Sequence, residues 1–318
     1  MFINKLKIIL KLCVALFLLS YIVITNDIAR VFEYFFSISP LIWLIFIVLY
    51  IVQVAVLTER LSLFFPEHNW FRLMYIRLIS IAYGFVLPGQ LAVEGVRAYL
   101  LAKNGDGYGH SGAAIMVDKL LSMIALLILG LVGLWYTDTL GYAMLYVFFI
   151  SCVVLMLLLF ALCFQSFYDT VANLLSYIAK KVGRFGKLFE LLIRMAEHWR
   201  TFVSNKFLIF KCFLYGVLFQ LVCAVIGALL TYGIGASFNL LDWLWIQALV
   251  TFVLMLPLSL GGIGVREGSL IGLLGLIGVD VEQALAVSFG LLALTLLQAF
   301  TGVCMGIGFA FNDNQEGK

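Results

Sequence analysis

Long apolar stretches recur along almost the whole chain, and a helix needs about 20 mostly apolar residues to cross a bilayer. Six stretches meet this requirement, at residues 8–25, 40–57, 111–134, 141–164, 207–234 and 283–310. Only 12% of the 318 residues are charged, whereas an ordinary soluble domain has about 25%. The sequence therefore predicts an all-α polytopic membrane protein in which residues 1–318 form a single transmembrane domain.

Two further apolar segments, residues 75–103 and 243–279, are interrupted by residues that break helices. Proline has no backbone N–H to donate and glycine resists helix formation, so the chain can turn at such positions. The predicted break positions are Pro88 and Gly89 in the first segment, and Pro257, Ser259, Gly261, Gly262 and Gly264 in the second. Each segment is expected to be a re-entrant helical hairpin, which protein rather than lipid must surround.

The distribution of basic residues predicts how the chain is oriented. Residues 165–206 carry seven Lys and Arg against three Asp and Glu, and Lys5, Lys7 and Lys11 lie ahead of the N-terminal apolar run. Basic loops stay in the cytoplasm, so both regions are predicted to be cytoplasmic. An even number of crossings must separate them, and the four clear spans satisfy this only if residues 75–103 do not cross. The same count places the C-terminus in the cytoplasm.

Residues 167–204, within this basic stretch, alternate apolar groups with basic residues. The pattern indicates an amphipathic helix on the cytoplasmic interface, and a solvated polar linker is the alternative.

The two interrupted segments align without gaps at an offset of 169 residues. Pro88 then matches Pro257, and the Gly-Val-Arg run ending at Arg97 matches the run ending at Arg266. Proline occurs only four times in the chain, so this shared spacing is informative. The predicted topology makes the segments enter from opposite sides, as an inverted repeat does around a transport site. The repeat cores are predicted at residues 75–134 and 243–310, and ordinary kinked helices are the alternative.

Several charged residues fall within or beside these segments, where an isolated charge is expensive and normally lines a cavity or finds a partner. The predicted substrate-binding residues are Glu94, Arg97, Asp118, Lys119, Arg266 and Glu267. Two arginines can hold a phosphate through paired hydrogen bonds, which suits a lipid headgroup. The carboxylates can balance the charge of the arginines or exchange protons. A purely structural network of ion pairs is the alternative.

Residues 256–267 resemble the second signature of a known family, the flippase-like membrane region of the lysylphosphatidylglycerol synthases. A weaker match is Leu87-Pro88-Gly89 followed by Arg97, because the family has Gly-Gly-Asp where this chain reads Ala92-Val93-Glu94. Residues 117–120 resemble the family's acidic–basic pair. The likeness extends over residues 75–310.

The resemblance implies a stand-alone lipid translocase, without a soluble synthase domain, in a prokaryotic cytoplasmic membrane. Its expected substrate is an anionic or modified phospholipid or a polyprenyl-linked lipid, and no cofactor is expected. A homo-oligomer or a partner from envelope biosynthesis is open, and nothing indicates nucleic-acid binding.

A membrane-embedded enzyme of lipid or glycan biosynthesis is the alternative from another class, and it would need acid–base groups or a metal. The three histidines, His68, His110 and His198, lie far apart in predicted loops, and the six cysteines are scattered singly in apolar segments. The sequence therefore predicts neither a catalytic site nor a metal site. An accessory subunit that docks a partner through residues 167–204 is a third possibility.

Overall fold

The computed structural model describes residues 24–85, 90–137, 186–256 and 262–316, with a few positions between 146 and 157. The described elements are all helical. They are α1 (Ile28–Ser37), α2 (Pro40–Ser62), α3 (Trp70–Gly84), α4 (Gln90–Leu101), a π-helical turn (Ala102–Asp106), α5 (Tyr108–Thr137), α6 (Gly186–Ser204), α7 (Lys206–Gly233), α8 (Asp242–Met255), α9 (Val265–Gly275) and α10 (Val281–Glu316).

Four of these helices are long and apolar enough to cross a membrane, namely α2, α5, α7 and the part of α10 from Val281 to Ile307. They coincide with four of the six predicted spans, so the chain is a polytopic membrane protein. The predicted spans at 8–25 and 141–164 lie almost entirely outside the described residues, and the total of six spans stays a prediction.

Polar side chains cap the starts of these helices. The Ser39 hydroxyl accepts from the N–H of Ile42, and Pro40 occupies the first helical position, where its missing N–H costs nothing. The Asn69 side chain accepts from the N–H of Phe71 at the start of α3. Each cap satisfies a backbone donor that would otherwise lack a partner, and so separates one helix from the next.

The first interrupted segment forms two helices, α3 and α4, that pack against each other. Residues 86–89, with the predicted break at Pro88 and Gly89, lie outside the described residues. The helices approach closely on either side of that gap, because a Cβ on Gly84 would come within 2.5 Å of the Val93 side chain.

The second interrupted segment likewise forms a contacting pair, α8 and α9. Pro257, Ser259 and Gly261 lie outside the described residues. Gly262 and Gly264 have φ angles of 77° and 81°, the left-handed region that glycine adopts without steric cost. These two residues turn the chain into α9.

The described part of the basic stretch, α6, packs against the beginning of α5. Trp199 and Phe202 bury its apolar side. A Cβ on Gly112 of α5 would lie 2.8 Å from the Met195 side chain, so the two helices are in direct contact. The cytoplasmic location of residues 165–206 stays a prediction, and residues 165–185 lie outside the described residues.

Gly302 and Gly306 on α10 face helix α3 of the same chain. A Cβ on Gly302 would lie 2.5 Å from the backbone carbonyl carbon of Leu78, and one on Gly306 would lie 3.0 Å from the Tyr75 ring. These glycines therefore allow α10 to approach α3 closely.

We expect Gly302→Ala to destabilise the protein by about 1–3 kcal/mol, because backbone atoms of α3 cannot move aside as a side chain can. The measurement is the thermal unfolding of detergent-purified protein. The matched control is Gly272→Ala in α9, where a Cβ meets nothing within 4 Å. Equal unfolding temperatures for the two variants would contradict this packing.

Candidate functional site

A cavity of about 390 Å³ lies between the helices, within the range of about 300–1,000 Å³ typical of ligand sites. Both interrupted segments contribute to its wall. Gly84, Phe85 and Val93 flank the gap in the first segment, and Met255 and Gly262 flank the gap in the second. The two candidate hairpins therefore face one shared cavity.

Charged side chains of one dominant sign line this cavity. Among the described lining residues the charged ones are Arg60, Arg77, Glu94, Arg97, Lys119 and Arg266. Five cations thus face a single carboxylate, and a low-dielectric wall concentrates their field on the enclosed space. The cavity is suited to an anion.

The two arginines matched by the repeat both reach this cavity. Arg97 on α4 and Arg266 on α9 line it and are only 4% and 9% exposed. Glu94 and Lys119 line it as well. The structure brings together four of the six residues predicted to bind substrate, and their role in binding stays a prediction.

Glu94 is held between two of the cations. Its carboxylate accepts from Arg97 Nη1 one turn further along α4, and Lys119 Nζ on α5 lies 3.7 Å from its other oxygen. Glu94 is therefore the counterion of the first hairpin, and it ties α4 to α5.

Asp118, predicted at the substrate site, is not among the described residues that line the cavity. Its carboxylate makes two contacts with Arg60, including a hydrogen bond of 2.7 Å from Nη2, and both side chains are almost fully buried. Cys212 of α7 donates to the same carboxylate at 3.7 Å. Asp118 thus balances Arg60, which α2 carries because it extends beyond the predicted end at residue 57 to Ser62.

Glu267, also predicted at the substrate site, caps a helix instead. Its carboxylate accepts from the backbone N–H of Gly264 and, at 3.2 Å, from the hydroxyl of Ser288 on α10. It lies three residues after Gly264, which is the spacing of a capping box, and it is 1% exposed. Its hydrogen bonds hold the start of α9 against α10.

Arg266 keeps part of its hydrogen-bonding capacity free. Its Nη1 atom is buried and has no hydrogen-bond partner among the described residues. Arg266 also lies in the first turn of α9, where the helix dipole favours an anion. A buried donor without a partner costs about 1–3 kcal/mol, which a bound anion would recover.

Two lining cations, Arg60 and Arg77, were missed by the sequence analysis. Arg77 is 6% exposed, and its Nη1 donates to the backbone carbonyl of Leu57 at 3.0 Å. The sequence could have indicated Arg77, because it lies within the first interrupted segment just as Arg97 does.

Most of the remaining lining residues are apolar, and the others are mainly uncharged polar ones. The polar ones include four glutamines, Gln53, Gln220, Gln247 and Gln298. Gln298 Nε2 donates to Gln53 Oε1 at 2.8 Å, and Gln247 Nε2 donates to the backbone carbonyl of Gln220 at 3.0 Å. Nothing in the sequence analysis singled out this group.

The histidines converge away from the cavity. The rings of His110 and His198 lie 5.2 Å apart, and His68 Nε2 lies 2.8 Å from the carboxylate of Asp106. His110 lies in α5 and His198 in α6, so the expectation that both lie in loops is wrong. None of the three is among the described residues that line the cavity.

A family model described as the lysylphosphatidylglycerol synthase TM region matches residues 8–302 of the chain. The comparison with curated proteins found no match, and neither did the comparison with solved structures.

We expect Asp118→Asn to destabilise the protein by about 3–5 kcal/mol, because it leaves the buried Arg60 charge without its counterion. Chemical unfolding in detergent measures the change, with Glu59→Gln at an exposed neighbouring position as the control. The double variant Arg60→Met/Asp118→Leu removes both charges and should recover most of the loss. A stable Asp118→Asn protein would show that the pair is not structural.

Proposed function

The chain belongs to the lysylphosphatidylglycerol synthase TM region family, and from this membership together with the cationic cavity we propose that it is a lipid translocase. It moves an anionic or modified phospholipid, or a polyprenyl-linked lipid, across a prokaryotic cytoplasmic membrane. The observation that carries the proposal is Arg266, a buried cation with an unused donor facing a cavity that both interrupted segments line.

Two re-entrant hairpins related as an inverted repeat provide the route. Support comes from the two contacting helix pairs, α3–α4 and α8–α9, whose gaps both adjoin the cavity. In such repeats the binding site lies at the interface of the halves, and rocking of one half against the other opens it to alternate sides. The headgroup crosses in the cavity while the acyl chains remain in lipid.

Arg97 and Glu94 make headgroup binding an exchange of partners. Glu94 holds Arg97 before the ligand enters, and the headgroup phosphate takes that place while Lys119 keeps Glu94 neutralised. Because one charged contact replaces another, the net gain in binding free energy is modest. A translocation site must bind strongly enough to fill and weakly enough to empty, as ion-conducting sites do.

We favour a transporter over an enzyme because the described carboxylates in or near the cavity already have partners. The described carboxylates there are bound to Arg97, Arg60 or a helix start, and the histidines pack at another place. The lipid is therefore expected to leave chemically unchanged.

Arg97→Ala and Arg266→Ala should each slow leaflet exchange at least ten-fold, since each removes charged hydrogen bonds to the headgroup. The assay uses purified protein in vesicles, with fluorescent phospholipids and polyprenyl phosphates as probes and mass analysis of the recovered lipid. Lys103→Ala, at an exposed position on the π-helical turn, is the control. Wild-type rates in both arginine variants, or a chemically altered lipid, would overturn the proposal.

The proposed orientation has both termini and residues 165–206 in the cytoplasm. In a cysteine-free background, an impermeant maleimide should label Ser237→Cys on the outer surface of intact spheroplasts. It should label Glu190→Cys only after permeabilisation. Both positions are exposed. The reverse pattern would invert the topology.

A further inference from the structure

The cavity has a neutral polar wall that the proposed function leaves unused. We call it the amide wall, and its members are Gln53, Gln220, Gln247 and Gln298. Gln53 and Gln220 are 6% and 7% exposed, so these amides are held inside the protein and not in water. Gln53 Nε2 donates to Cys223 Sγ at 3.2 Å and Gln220 Nε2 donates to Ser122 Oγ at 3.4 Å, so both amides have partners inside the protein. A buried polar group is costly only where such a partner is missing.

The amide wall lies some distance from the cationic side. Gln53 and Arg60 both line the cavity from α2 and are seven residues apart, which corresponds to about 10 Å along a helix. A phosphate held beside Arg60 therefore lies about that far from Gln53. A ligand that contacts both sides has a polar group extending beyond its phosphate.

Gln247 indicates which kind of hydrogen-bonding group the ligand must supply. Its Nε2 is used by the backbone carbonyl of Gln220, whereas its Oε1 is buried without a hydrogen-bond partner among the described residues. The free atom is an acceptor, so a ligand group that reaches it must be a donor. A hydroxyl and an ammonium are the two common donors of a lipid headgroup.

Charge decides between these two donors. An ammonium would enter a cavity lined by five cations, and the nearby carboxylates Glu94, Asp118 and Glu267 are already engaged. A buried cation without a counterion is strongly disfavoured. A neutral hydroxyl carries no such penalty.

Building on the proposed function, we propose that the headgroup is a hydroxylated phosphate ester, such as a polyol or glycosyl phosphate, with its hydroxyls on the amide wall. Cationic aminoacyl and zwitterionic ethanolamine headgroups are selected against. The amide wall therefore sets specificity within the class of lipids that the arginines attract.

The test measures binding of short-chain lipids to the detergent-purified full chain through the ligand dependence of its unfolding temperature. Phosphatidylglycerol and phosphatidylinositol carry hydroxyls, and phosphatidylethanol has the same charge without them. Phosphatidylethanolamine and lysylphosphatidylglycerol carry an amine. We expect the hydroxylated lipids to bind about five-fold more tightly than phosphatidylethanol, the effect of one net hydrogen bond, and the amine-bearing lipids to bind more weakly.

Gln247→Leu should lower the affinity for phosphatidylglycerol about five-fold and leave that for phosphatidylethanol unchanged. Gln283→Leu, at the start of α10 and not among the described residues that line the cavity, is the control. Equal losses for both lipids in Gln247→Leu, or lysylphosphatidylglycerol binding as tightly as phosphatidylglycerol, would overturn the inference.

Two further experiments distinguish a failure of this inference from a failure of the proposed function. Selective binding of hydroxylated lipids without leaflet exchange in vesicles would overturn the translocase and uphold the amide wall. Leaflet exchange of lysylphosphatidylglycerol at the rate of phosphatidylglycerol would overturn the amide wall alone. Soluble glycerol phosphate tests whether the ligand is a lipid. If it bound as tightly as phosphatidylglycerol, the amide wall would be supported as a site for a soluble phosphate ester.

Discussion

The cost of charge inside a membrane governs this structure. Each charged group there must meet a counterion, a hydrogen-bond partner or a polar cavity. The Arg60–Asp118 pair meets this requirement internally and, through Cys212, joins α2, α5 and α7. Glu94 likewise balances Arg97 and Lys119, and the backbone carbonyl of Leu57 accepts from Arg77. The framework and the site are thus two results of one balance of charge.

The same constraint explains why the second interrupted segment contains Arg266 and Glu267 side by side. A helix whose start is buried has backbone N–H groups that water cannot reach. Glu267 satisfies one of them, at Gly264, and Ser288 holds that carboxylate in place. Arg266, on the adjacent position, is left directed at the cavity. One residue completes the helix start and its neighbour lines the cavity.

Hydropathy predicts the helices well because long apolar runs have few alternatives in a bilayer, and four predicted spans are confirmed. The shared Pro to Gly-Val-Arg spacing also found Arg97 and Arg266. Pairing across helices was beyond the sequence, since Asp118 meets Arg60 through a register between elements 58 residues apart. The cap made by Glu267 was equally hidden, because composition cannot distinguish a carboxylate bound to backbone from one that faces a cavity.

A cavity lined only by cations would release an anion slowly, because five positive charges would hold it. Glu94 lowers this positive charge on the first hairpin, and it belongs to α4 itself rather than to the opposite half. The second hairpin has no comparable carboxylate among the described lining residues, because Glu267 is used by the start of α9. The two arginines therefore differ, because Arg97 is paired with a lining carboxylate whereas the carboxylate beside Arg266, that of Glu267, is bound to the start of α9. For the proposed anionic ligand, this asymmetry predicts a stronger contact with Arg266 and a weaker, exchangeable contact with Arg97.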